Sequence, residues 1–158
     1  MPETPYAIHA ARAEDVPQLV ELLLDLFGTE LDFTADVTAQ TRGLNLLIAQ
    51  PPAQAAVLVA RDAGDQVIGM GSAQLVISTA EGAPSVWIED IVIHRDHRGA
   101  GLGRALLDAL LAWAREHGAT RAQLVADREN VPAELFYNAL GWKTTQLTVR
   151  RWRIERQE

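Results

Sequence analysis

Trp87-Ile88-Glu89-Asp90-Ile91-Val92-Ile93-His94-Arg95-Asp96-His97-Arg98-Gly99-Ala100-Gly101-Leu102-Gly103-Arg104-Ala105-Leu106-Leu107 is the stretch on which the fold turns. It begins as a strand, because Ile88, Ile91, Val92 and Ile93 are β-branched and fit a pleated, half-buried surface. It ends as a helix, because Leu102, Leu106, Ala109, Leu110 and Trp113 recur at the three- and four-residue spacing of one face. Between them lies a turn with Gly99, Gly101 and Gly103 at alternate positions and arginines on both sides. A glycine-rich turn opening a helix leaves backbone N–H groups unpaired, with the positive end of the helix dipole behind them. Such a turn is an anion site, and phosphate is its usual occupant.

Two common phosphate signatures are absent. In Gly-x-Gly-x-x-Gly the third glycine would fall on Arg104 or Leu106, and a P-loop needs Gly-Lys-Ser/Thr where the only lysine is Lys143. What stands is Arg98-x-x-Gly101-x-Gly103, shortly after Ile93. Here the chain resembles the GNAT superfamily of acetyl-CoA-dependent N-acetyltransferases, whose pyrophosphate loop reads Arg/Gln-x-x-Gly-x-Gly/Ala. A second group, Asn130-x-x-Ala133-x-x-Phe136-Tyr137-x-x-x-Gly141-Trp142, is similar to the family's downstream Asn-x-x-Ala-x-x-Leu/Phe-Tyr-x-x-x-Gly-Phe. Local chemistry agrees with it. Asn130 suits a helix cap whose amide faces the cofactor groove. Ala133 keeps the helix surface low, Phe136 points to the core, and Tyr137 points about 100° away from it.

Composition narrows the class. The 158 residues, 48% of them hydrophobic, suit one domain over 1–158 with a sizeable core. No cysteine is present, which removes disulfides, a thiolate nucleophile and cysteine-ligated zinc. A net charge of -7 argues against a nucleic-acid partner. No apolar run reaches membrane-spanning length, and Met1-Pro2-Glu3-Thr4-Pro5 lacks the marks of a signal peptide, so no membrane partner and a cytoplasmic location are expected. A homodimer is compatible with these features.

Along the chain, Tyr6–Ala10 reads as an edge strand. Asp15 is placed to cap a helix with Gln18 three residues on, and Val16, Leu19, Val20, Leu23 and Leu26 mark its stripe before Gly28 stops it. Residues 29–35 form a loop carrying Glu30, Asp32 and Phe33, for which a plain loop is the simplest reading. A second helix spans Asp36 to Gln50, with Leu44, Leu47 and Ile48 inward and Gly43 as an unfavourable interior residue, before Pro51-Pro52. Strands follow at Ala55–Arg61, Val67–Ile77 and Trp87–Ile93, joined by turns at Asp62–Asp65 and Glu81–Pro84. The helix Leu102–His117 closes at Gly118 and leads to a parallel strand at Ala122–Ala126. A helix at Pro132–Leu140 and a strand at Thr144–Trp152 complete the chain. Arg150, Arg151, Arg153 and Arg156 form a solvated basic end. The order is that of the GNAT fold. The resemblance implies an α/β protein of the α+β type, with a mostly antiparallel sheet, a splayed parallel strand pair and about four helices.

The resemblance implies acetyl-CoA as donor and no metal. Its pantetheine arm is expected on the backbone of Ile91, Val92 and Ile93, and its pyrophosphate on the amides of Gly99, Ala100, Gly101, Leu102 and Gly103. Arg98 and Arg104 assist there, and Asn130 and Tyr137 lie in the same groove. Without a thiol or a Gly-x-Ser-x-Gly elbow, an amine of a small molecule or protein should attack the thioester directly in a ternary complex. Glu89 is the candidate base, sharing strand parity with Ile91 and Ile93; on simple alternation Asp90 points away, although a bulge would reorder them. An alkylammonium near 10.4 against a carboxylate near 4.3 makes direct abstraction uphill by roughly 8 kcal/mol, so a raised pKa or a water relay is needed. The triplet Ile88-Glu89-Asp90 is also similar to that of glucosamine-6-phosphate N-acetyltransferases, a local likeness that does not identify the substrate. Tyr137 is the candidate acid for the leaving thiolate, mismatched by about 2 kcal/mol. His94 and His97 beside Asp96 lack a further ligand and read as a solvated turn. Trp87 and Trp142 read as core. The alternative is a non-catalytic acyl-CoA-binding module, which a degraded loop or an aliphatic residue at 137 would have favoured.

Overall fold

Val57 and Val59 turn to one side of the strand β2 (Ala55–Asp62), and Leu58 and Ala60 to the other. That period of two belongs to a strand covered on both faces. A computed structural model describes residues 5–29 and 34–157, in two compact units, Met1–Val125 and Ala126–Glu158. The expected loop residues Glu30, Asp32 and Phe33 lie outside the described residues.

In the first unit, β1 (Tyr6–Ala10), β2, β3 (Val67–Ser78), β4 (Ala83–Ile93) and β5 (Arg121–Leu124) form one sheet in chain order. Neighbours are antiparallel except β4 and β5, which run parallel from Ser85 beside Arg121 to Ile88 beside Leu124. The hairpin turn between β2 and β3 closes on Asp62, whose Oδ1 accepts from the amides of Gly64 and Gln66 at 2.9 and 3.0 Å.

The helices α1 (Val16–Thr29) and α2 (Val37–Ile48) cover one face, where Val16, Leu19, Val20, Leu23 and Leu44 pack with Val57, Val59, Met70 and Val92. Each such leucine contributes about 1.5–3 kcal/mol by burial. The helix α3 (Leu102–Glu116) covers the other face, with Leu102 and Leu106 against Ala60 and Ile68. It lies close on the sheet because β3 has no side chain at Gly71, where a Cβ would come within 2.8 Å of Leu110.

Local signals predict α2 and α3 well. Asp36 accepts the Ala39 amide at 3.1 Å while Gln40 accepts the Asp36 amide at 2.8 Å, a reciprocal cap. Two boundaries near α1 differ from expectation. Gly28 does not stop the helix, which includes Thr29. Asp15 does not cap it either, but ends a 3-10 turn (Ala13–Asp15), accepts the Arg12 amide at 2.7 Å and pairs with Arg61 of β2. Both charges are almost fully buried, so pairing outweighs capping. The carboxamide of Gln18 accepts the Val67 amide at 3.0 Å.

In the second unit, α4 (Val131–Ala139) is capped by Asn130, whose side chain accepts the Ala133 amide at 3.2 Å, and it is closed by Gly141 at φ +89. No residue of α4 is buried, so Phe136 is half-buried rather than a core residue. The expected strand at Thr144–Trp152 is absent. The Thr145 hydroxyl bonds the Leu147 carbonyl and amide at 3.3 and 3.2 Å, turning the chain locally where a strand would have kept those groups for a ladder. Residues 143–157, including the four arginines and Trp152, are exposed.

Candidate functional site: the free end of β4

The strand β4 outlasts its neighbour. Pairing with β5 ends at Ile88, and β4 continues to Ile93, so the sheet opens at the place of the expected splayed pair. In this interval Ile91, Val92 and Ile93 have no β5 residue opposite them.

A bulge interrupts β4 at the same place. Ser72 pairs with Glu89 and Met70 with Val92, so Gly71 alone stands opposite both Asp90 and Ile91. Asp90 takes the strained left-handed conformation at φ +57. The Ser72 hydroxyl donates to the Glu89 carbonyl at 3.1 Å. The extra residue resets the alternation and corrects the expected parity. Ile91 and Ile93 lie toward α3, near the space over Gly71 and Gly69, whereas Glu89 and Asp90 line a cavity on the α1–α2 side. Trp87 is half-buried rather than core, and its indole N–H donates to Glu89 Oε1 at 2.6 Å, fixing that carboxylate.

Beyond β4, Arg95–His97 make a short 3-10 turn in which His94 Nδ1 accepts the Asp96 amide at 3.2 Å. Among the described residues no group of three His, Asp or Glu side chains is arranged for a metal. The chain then passes through Gly99 at φ +80 and Gly101 at φ +82, a region that disfavours any residue with a Cβ. Gly101 opens α3 without a side-chain cap. A Cβ at Gly99 or Gly101 would meet nothing within 4 Å, so the turn borders open space. Ala100 is exposed in it, and Gly103 and Arg104 follow in the first helical turn. Leu102 is buried in the core, which leaves only its backbone for a ligand.

The arginines are engaged. Arg98 donates through Nε to the Ile93 carbonyl at 2.9 Å and through a terminal nitrogen to Asp25 of α1, also at 2.9 Å. Arg104 lies 3.6 Å from Asp108 on its own helix. Both pairs are exposed and worth at most about 1 kcal/mol, so neither would withhold its arginine from a phosphate.

The cavity beside Glu89 and Asp90 has a volume of about 430 Å³. Leu23 and Phe27 of α1 and Leu44 and Leu47 of α2 form apolar walls, and Gln40 and Gln74 add amides.

In the second unit, the Tyr137 ring meets Phe136 and Trp142 edge-on at 5.1 and 5.9 Å between centroids. Trp142 is half-buried, not core. Burial pushes the Tyr137 phenol above its ordinary value of 10.0, which keeps it a protonated donor over a wider pH range.

The model of the acetyltransferase (GNAT) family matches residues 16–142. The chain belongs to this family. It is 29% identical to the streptothricin acetyltransferase of Streptomyces lavendulae over 87% of this chain and 81% of that protein. It is 29% identical to an aminoglycoside N(6')-acetyltransferase type 1 of Stenotrophomonas maltophilia over 61% of this chain and 65% of that protein. With the glucosamine 6-phosphate N-acetyltransferase of Trypanosoma brucei brucei it shares 34% identity over 51% of this chain and 55% of that protein. The matches thus span less than two thirds of these last two relatives. The fold is similar to that of a possible acetyltransferase from Clostridium difficile 630, with a TM-score of 0.82 at 16% identity over 96% and 99% of the two chains.

Three residues around this candidate site are not singled out for it by the sequence. Trp87 gave an i, i+2 signal, being on the same face of the strand as Glu89. Gly43, disfavoured in a helix interior, lines the cavity and was itself the signal. Asp25 gave none, since only the approach of α1 brings it to Arg98.

Proposed function

We propose that this chain is an acetyl-CoA-dependent N-acetyltransferase, acting on a primary amine in a ternary complex, with residues 1–158 working as one domain. One observation carries the reading: α3 opens on left-handed glycine without a side-chain cap, a short turn after a strand whose last residues have no β5 residue beside them. The residues fit the donor. Amides of Gly99 to Gly103 suit a pyrophosphate, and Arg98 keeps N–H donors beyond those used by Ile93 and Asp25. The β4 backbone from Ile91 to Ile93 suits amide groups of a pantetheine arm. When bound, acetyl-CoA supplies the activated acetyl thioester.

The chain's own part is positioning and proton transfer. The cavity on the α1–α2 side is the acceptor's place, because Glu89 lines it and the indole of Trp87 holds that carboxylate in one orientation. Glu89 receives the amine's proton, through water where contact is indirect. The phenol of Tyr137 gives a proton to the departing sulfur. Asn130 organises the start of α4 that carries it.

Gly101→Val places a β-branched residue at a φ of +82, strained by about 1–2 kcal/mol, and fills the open turn. Titration calorimetry should show CoA binding weakened at least about tenfold, which corresponds to 1.4 kcal/mol. Parent-like binding would remove the turn from the site, and thiol release from acetyl-CoA with any amine separates the enzyme from a binding module.

Glu89→Gln should lower turnover by about tenfold to a hundredfold while CoA affinity stays within about threefold. Parent-like turnover in Glu89→Gln, with Asp90→Asn crippled instead, would transfer the role one residue along the bulge.

A further inference from the structure

We propose that the cavity between α2 and the β4 bulge selects a primary amine with an apolar body that bears neither phosphate nor carboxylate. The inference rests on the acetyltransferase reading above and names its acceptor class. At about 430 Å³ the cavity lies in the range of small-ligand sites. Leu23, Phe27, Leu44 and Leu47 give it apolar walls, and Glu89 and Asp90 stand at the end formed by the bulge. No arginine, lysine or histidine lines it among the described residues. An anionic acceptor would therefore meet the Glu89 carboxylate, with no cationic side chain among the described lining residues to offset its desolvation. A polycationic body would have to shed water against leucine and phenylalanine. A single ammonium directed to the bulge, with an apolar remainder on the walls, satisfies both ends.

Gly43 is an independent observation. It sits inside α2, where glycine is disfavoured against alanine, and a Cβ there would meet nothing within 4 Å. Packing within the described chain thus gives no reason for a missing side chain. Gly43 lines the cavity, one turn after Ala39, which also lines it. The two small residues keep the α2 wall low, and a larger residue at 43 would occupy the space assigned to the acceptor's body.

The test measures thiol release from acetyl-CoA with 2-phenylethylamine, spermidine, glucosamine 6-phosphate and glutamate, in the parent and in Gly43→Leu. In the parent, kcat/KM for 2-phenylethylamine should exceed the others by about tenfold or more. Gly43→Leu should raise KM for 2-phenylethylamine about tenfold with a smaller change in kcat. Its CoA affinity by calorimetry should match the parent, and its melting temperature should be equal or higher. Preference for glucosamine 6-phosphate, glutamate or spermidine overturns the inference, as does an unchanged KM in Gly43→Leu. If acetyl-CoA binds and 2-phenylethylamine is not turned over, the acceptor class is wrong and the reading of the donor site stands. If acetyl-CoA does not bind, both fall.

Discussion

Asp15→Asn should destabilise the fold by about 3–5 kcal/mol, toward the lower end because asparagine keeps an acceptor for the Arg12 amide. Asp15 is 2% exposed and Arg61 3%, so removing the carboxylate leaves a guanidinium buried without its charge partner. The other contacts of Arg61 compensate only partly. Its Nε donates to His9 Nε2 at 2.9 Å, and the exposed Asp65 carboxylate is 3.8 Å away. For a chain of this length the loss corresponds to a melting temperature roughly 6–20 °C lower. Replacing the pair together, Asp15→Leu with Arg61→Met, should recover most of it, because the desolvation of both charges disappears with their attraction. Equilibrium denaturation of the parent, Asp15→Leu, Arg61→Met and the double variant forms the cycle. A single variant as stable as the parent would show that the pair contributes nothing.

The same pair gives an acid limb. Burial raises the Asp15 pKa, but the hydrogen bond from Arg61, the Arg12 amide and the two guanidinium charges outweigh it and hold the carboxyl below its ordinary 3.8. A depressed folded pKa adds stability that is fully present above the unfolded value and is lost as pH falls through the folded one. The parent should therefore lose the Asp15 contribution below about pH 4, and Asp15→Asn should lack that part of the slope. Equal slopes in both proteins below pH 4 would contradict the assignment.

Tyr137→Phe should lower turnover by about ten- to a few hundred-fold, with acetyl-CoA affinity within about threefold. The change deletes the hydroxyl and keeps the ring against Phe136 and Trp142. General acid catalysis is worth 10²–10⁴-fold in general, and about the lower end applies because a thiolate leaves readily and the acceptor's own ammonium can supply a proton. The phenol acts only while protonated, and burial raises its pKa, so parent activity should persist past pH 10 and fall as pH rises through the shifted value. The variant should lose that basic limb. Melting temperature should barely move, since one hydroxyl contributes about 1 kcal/mol. Full activity in the phenylalanine variant would remove Tyr137 from the chemistry, and a collapsed melting temperature would make it structural.

Features that depend on a few neighbouring residues were legible in the sequence. The helix start near Asp36, the Asn130 cap, the turn at Asp62–Asp65, the glycines opening α3 and the amphipathic face of that helix all rest on local hydrogen bonds and periodicity. They sufficed for the element order and the likeness to the family. Thr144–Trp152 marks their limit: strand-like composition makes a strand only when a partner accepts its ladder, and Thr145 bonds locally instead.

What the tertiary structure decided depends on partners distant in the chain. Arg61 of β2 turned Asp15 from a cap into half of a buried ion pair, and Asp25 reached Arg98 across 73 residues of sequence. The bulge opposite Gly71 put Glu89 on the α1–α2 side, reversing the parity that alternation alone predicts. Sequence determined which side chains were available for chemistry. The register of β3 against β4 determined which face Glu89 serves, because one extra residue in a strand of period two exchanges the sides of everything beyond it.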